Sequence, residues 1–94
     1  MIVQRMTISI KPGRMDEVLT LLKEDRKRSG FQSRLYQIDI GTFGQIAIEL
    51  EFEDMAAREK FWTEWGAVPE RPAFMEKWLE YTKSGGTEIW TLVE

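Results

Sequence analysis

Ninety-four residues make a single domain, 1–94, near the low end of the usual size range, and so short a chain buries only a modest core by itself. A hydrophobic share of 43%, a charged share of 31% and a net charge of −3 fit an ordinary folded protein. They disfavour nucleic-acid and anionic-membrane surfaces, which reward concentrated positive charge. There is no cysteine, histidine or asparagine. That excludes disulfides, Ser-His-Asp and Cys-His catalysis, zinc sites of the usual type and histidine-ligated haem. No metal and no cofactor is therefore expected, and a reducing cytoplasm is a compatible location.

The first segment, "MIVQRMTISI", alternates as a strand does, with Ile2, Met6, Ile8 and Ile10 on one face and Val3, Arg5, Thr7 and Ser9 on the other. It lacks the continuous apolar run of a signal peptide, and no later run is long enough to span a bilayer. "KPG" ends the strand. Met15, Val18, Leu19 and Leu22 then recur at helical spacing. Asp16 and Glu17 at the start of this helix, and Lys27 and Arg28 at its end, suit the helix dipole, and Gly30 is the predicted stop.

"SRLYQIDI" reads as a second strand, with Tyr36, Ile38 and Ile40 on one face and Leu35, Gln37 and Asp39 on the other. "GTFG" predicts a turn. "QIAIELEFE" alternates cleanly, with Ile46, Ile48, Leu50 and Phe52 opposite Gln45, Ala47, Glu49, Glu51 and Glu53. Asp54 is the predicted cap of a helix from Met55 to about Trp65, whose apolar face is Ala57, Phe61, Trp62 and Trp65. "GAVPERP" breaks that helix, and Pro72 suits the first turn of the next, with Phe74, Met75, Trp78 and Leu79 as its stripe. "SGG", Ser84 to Gly86, is expected to stop it before a last strand, "TEIWTLVE".

The order predicts an α+β, ferredoxin-like βαββαβ domain: a four-stranded antiparallel sheet with both helices, the second broken, on one face. Val3, Leu35 and Ala47 then fall on the free face. The last strand is apolar on both sides, Ile89 and Val93 against Trp90 and Leu92. Strands apolar on both sides are usually buried on both sides. A second copy packed over the free face is therefore expected, giving a homodimer through the sheet.

This order resembles the dimeric α+β barrel superfamily over the whole chain. "IKPGRMDEVLTLLKE" is similar to the opening of antibiotic-biosynthesis-monooxygenase-type domains, and "FWTEWGAVPERPAFMEKW" followed by "GGTEIWTLVE" resembles the NIPSNAP-like branch. The resemblance implies a superfamily of cofactor-free monooxygenases, haem-degrading monooxygenases, chlorite dismutases and lactone isomerases. The haem-degrading members use a histidine and an asparagine, both absent here. The cofactor-free oxygenases commonly rely on asparagine, tryptophan and sometimes histidine; of these only tryptophan is available, as Trp62 or Trp65. Acylphosphatases share the order but need an asparagine beside an arginine, and are excluded.

Candidate site residues fall in two groups. Arg5 and Glu49, on adjacent central strands, are expected on the free face with Thr7 and Gln37. They either form an ion pair that fixes dimer register or hold a polar ligand. Trp62 and Trp65, with Tyr36, either complete the core or line a pocket for an apolar or aromatic small molecule, with Arg71 in the helix break guiding an anion into it. Were the protein a cofactor-independent monooxygenase or isomerase, Arg5 would stabilise oxyanion charge and Glu49 would be the base. Glu49, Glu51 and Glu53 stand about 6–7 Å apart along one strand, too far for a compact cation site. The third strand's free face carries carboxylates and no aromatic, unlike RNA-recognition sheets.

Overall fold

In the computed structural model, which describes residues 1–94, β1 (Ile2–Ile10) is followed by α1 (Met15–Ser29), β2 (Arg34–Gln37), β3 (Gln45–Phe52), α2 (Met55–Gly66), α3 (Arg71–Tyr81) and β4 (Thr82–Thr91). The sheet is antiparallel in the order β2-β3-β1-β4, the ferredoxin-like arrangement, and the predicted helix break separates α2 from α3. Alternation puts the even-numbered residues of β1 and β3 on one face, where they meet the helices. Ile8, Ile10, Ile46, Ile48 and Leu50 form the core there with Val18 of α1.

Local chemistry ends the elements as expected in three places. Gly30 closes α1 at φ 71°, a left-handed conformation that costs glycine nothing. Asp54 accepts a 2.8 Å hydrogen bond from the Ala57 N–H at the start of α2. Pro72 lies in the first turn of α3.

The structure corrects the sequence reading in β2, at the junction of α3 with β4, and on the face of α3. β2 stops at Gln37 because β3 offers no partner beyond Gln45, so Ile40 lies in the connecting loop and is exposed. Pairing of Leu35 with Ile48 and of Tyr36 with Ala47 also inverts the faces assigned to β2. Leu35 packs on the helix-side core, Gln37 falls on that same side, and Tyr36 lies on the free face. A strand this short has too few alternations to reveal its inward side, and only its partner decides it.

At the C-terminal end, Ser84 to Gly86 do not stop α3. The helix ends at Tyr81, where the Thr82 hydroxyl donates to the Trp78 carbonyl at 2.7 Å, and β4 begins at once. The glycines pair with β1 instead. A Cβ at Gly85 would stand 3.3 Å from the Thr7 carbonyl oxygen, so the absent side chain permits this close pairing. Leu79 is exposed, and Tyr81 packs against the core in its place.

Truncating Ile46, which is only 1% exposed, removes the centre of this core. Ile46→Ala is expected to cost about 2–5 kcal/mol in urea unfolding. Asp54→Ala, which removes only the cap, is expected to cost about 1 kcal/mol.

Candidate functional site

Between the helices and the sheet lies a cavity of about 420 Å³. Its floor is Met6, Ile8, Ile48 and Leu50, and its wall is Trp62, Trp65, Phe74, Met75 and Trp78. Where β4 passes beneath, the strand contributes Gly85, Gly86 and Thr87 rather than bulky side chains. The volume and apolar lining suit a small organic ligand.

The aromatic wall is continuous. Phe61 meets Trp62 at 4.9 Å between ring centroids, Trp62 meets Trp65 at 5.4 Å and Trp65 meets Phe74 at 5.4 Å, all edge to face. Phe74 stacks on Trp78 at 6.1 Å. Edge-to-face packing places the positive rim of one ring against the negative face of the next, which fixes ring orientation as well as burying area. The predicted tryptophan group is thus both core and lining.

Two polar clusters hold this wall in place, and both rest on residues that sit in apolar stripes. Asp25 lies one turn beyond Leu22 on the buried side of α1 and is 3% exposed. Its Oδ1 accepts from Arg71 Nη1 and Arg28 Nη2, each at 2.9 Å, and its Oδ2 accepts from the Trp65 indole at 2.9 Å. Arg71 also donates from Nε to the Trp65 carbonyl at 2.7 Å, and its guanidinium lies 3.4 Å over the Trp65 ring centre. Gln4, on the helix side of β1, is the second hub and is 3% exposed. Its Oε1 accepts from the Trp62 indole at 2.8 Å and from Arg58 Nε at 2.9 Å, while its Nε2 donates to the Thr87 hydroxyl at 3.1 Å. Both indole N–H groups, which are costly to bury unpaired, are therefore satisfied.

Arg71 Nη2 is buried without a partner. Leaving such a donor unpaired costs about 1–3 kcal/mol. The ion pair and the stacking on Trp65 and Phe74 oppose that cost. Arg71 accordingly works as a strut behind Trp65 and Phe74, and it is not itself part of the cavity lining.

The candidates predicted on the free face lie across the sheet from this cavity. Arg5 Nε meets Glu49 Oε2 at 3.2 Å, and the Tyr36 hydroxyl donates to Glu49 Oε1 at 3.1 Å. Thr7 stands next to them on β1, between Ala47 and Gly86, whereas Gln37 belongs to the opposite side of β2. Tyr36 therefore joins Arg5 and Glu49, not Trp62 and Trp65. Arg34 and Glu51 form a longer pair, 3.5 Å, on the same face. Arg5 is about half-exposed, so this network is only partly desolvated.

No protein-family model matches the sequence, and no curated protein matches it. Solved structures do match in shape. An uncharacterised NIPSNAP domain protein from Burkholderia xenovorans superposes with a TM-score of 0.85 at 19% identity, covering 99% of this chain and 95% of that one. The fold is that of the NIPSNAP domain proteins. A second NIPSNAP family protein, from Agrobacterium tumefaciens, gives a TM-score of 0.85 at 20% identity, covering 96% of this chain and 90% of its own. An antibiotic biosynthesis monooxygenase gives 0.74 at 19% identity, with all of both chains covered. At 19–20% identity the likeness is one of fold alone. A shared fold does not fix a function, so the site rests on this chain's own residues.

Asp25→Asn keeps the shape of the side chain but removes its charge, leaving Arg71 buried without a counter-ion. The expected loss is about 3–5 kcal/mol in chemical unfolding, because breaking one side of a buried pair strands the other. The tryptophan emission spectrum is expected to shift in the same variant, since the Trp65 indole loses a charged partner.

Proposed function

We propose that the protein binds a small apolar or aromatic molecule in the cavity between helices and sheet, and that it does so as a homodimer joined through the free face of the sheet. The aromatic wall held by Gln4 and Asp25 is the observation that carries the binding reading. Both hubs use buried polar atoms to fix Trp62 and Trp65. A wall fixed in this way loses little entropy when a ligand docks against it. Trp62 and Trp65 are the contact residues, and Arg71 acts through Trp65.

The dimer reading rests on the free face. No helix covers it, and it presents Val3 beside Trp90, with Trp90 59% and Leu92 52% exposed. Large exposed apolar side chains on an uncovered sheet face suit an interaction surface. The Arg5–Glu49 pair lies farther along the same face, where it would set the register between two copies.

A second reading, a cofactor-independent monooxygenase or isomerase on an aromatic or polyketide-like substrate, draws support from the likeness to the antibiotic biosynthesis monooxygenase. It would have to find another base than Glu49, which lies across the sheet from the cavity. The carboxylate that does line the cavity, Asp25, already accepts three hydrogen bonds. Binding without chemistry therefore fits these residues better.

Calorimetric titration with a panel of two-ring aromatics, neutral, anionic and cationic, is expected to give saturable binding of at least one member, with one site per chain. Met75→Trp, which fills the cavity, is expected to abolish it while leaving the circular dichroism spectrum intact. Failure of every member to bind defeats the binding reading. Sedimentation is expected to find a dimer at micromolar concentration, shifted toward monomer by Trp90→Glu; a wild-type monomer there defeats the dimer.

A further inference from the structure

The polar groups around the cavity are not balanced between donors and acceptors. Two charged residues line it, Asp25 and Arg26. The Asp25 carboxylate is committed, since three donors already occupy its oxygens. Arg26 is not. It is half-buried, forms no ion pair, and makes one long hydrogen bond, from Nη1 to the Ser33 carbonyl at 3.3 Å. A guanidinium has five N–H donors, so most of Arg26's are left over.

The two hydroxyls on the lining point the same way chemically. Thr87 accepts from Gln4 Nε2 and so retains its own proton to donate, and the Ser33 hydroxyl makes no hydrogen bond within the protein. Charge reinforces this. Arg28 and Arg71 both pair with Asp25, so its charge is already answered twice, and the Arg26 guanidinium on the lining has no carboxylate of its own. A chain of net charge −3 thus leaves an unpaired positive charge on the lining of this apolar cavity. The sequence reading gave the role of guiding an anion to Arg71. The structure buries Arg71 behind the wall and leaves Arg26 on the lining.

Resting on the binding reading above, we infer that the ligand is an organic acid: an apolar ring or chain carrying one carboxylate, its body against Trp62, Trp65 and Trp78 and its oxygens toward Arg26 and Ser33. An anion entering a low-dielectric cavity must be met by charge and by hydrogen-bond donors. Arg26 supplies both, in a planar fork that matches a carboxylate. A cationic ligand would meet the unpaired guanidinium of Arg26 and no uncommitted carboxylate.

The test compares probes of one shape and different charge, 1-naphthoate, 1-naphthamide and 1-naphthylmethylammonium, by calorimetry on the intact protein at low salt. Naphthoate is expected to bind at least tenfold more tightly than naphthamide, and the ammonium compound not at all. The preference is expected to shrink as salt is added, to vanish in Arg26→Gln and to survive in Arg26→Lys. Arg26 is half-buried and outside the ion pairs, so both variants are expected to fold, with circular dichroism as the check. Equal binding of naphthoate and naphthamide overturns the organic-acid inference and leaves the binding reading standing. Binding of no probe overturns the binding reading itself. An anion preference that persists unchanged in Arg26→Gln overturns the assignment to Arg26.

Discussion

The Asp25–Arg71 pair is the contact on which the helical layer depends. Asp25 sits near the end of α1 and Arg71 opens α3, so the pair ties together two elements separated in the chain by β2, β3 and α2. Trp65, the last aromatic of α2, is held between them by its indole N–H, its carbonyl and its ring face. All three helices therefore converge on one carboxylate. Burying such a pair brings little net stability, because desolvation offsets the Coulombic gain. What it fixes is position: the break between α2 and α3 can take only the geometry that lets Arg71 reach Asp25.

That geometry explains why the interior is not filled. Helices pressed flat on a sheet would close over Ile8, Ile48 and Leu50. Here the aromatic row from Phe61 to Trp78 stands as a wall, anchored at Gln4 on one side and Asp25 on the other. Gly85 and Gly86 add no bulk from below. Large rings with fixed orientations pack edge to face and leave a void that flexible aliphatic side chains would have collapsed into. The cavity and its rigidity share one origin.

The two faces of the sheet consequently have different tasks. The helix side carries the core and the cavity. The free side carries an ion-pair network and an apolar patch around Trp90. Separation by the sheet keeps Arg5, Glu49 and Tyr36 out of reach of anything bound among the tryptophans. The strand pairing that joins Arg5 to Glu49 also sends both away from the cavity.

The element order, the caps at Gly30 and Asp54, and the break before Pro72 are legible in the sequence because each follows from local chemistry or from periodicity within one element. The core faces of β1, β3 and α1 are legible for the same reason. β2 was not: four residues carry too little alternation to choose a side, and pairing with β3 chose it. Nor was the role of Ser84 to Gly86, since glycines that end a helix and glycines that permit close strand pairing look alike until β1 lies alongside. Gln4 and Asp25 did leave a signal, as polar residues in apolar stripes, but the stripe says only that they are buried. Arg28 is local to Asp25, one turn along α1, but the other partners, Arg58, Trp62 and Thr87 for the one and Trp65 and Arg71 for the other, are distant in sequence and meet only in the folded chain. The sequence by itself determined which segments would pack together. The tertiary structure alone decided that the packing stops short around a cavity, because a void is a property of how fixed rings from several elements fit and belongs to no one of them.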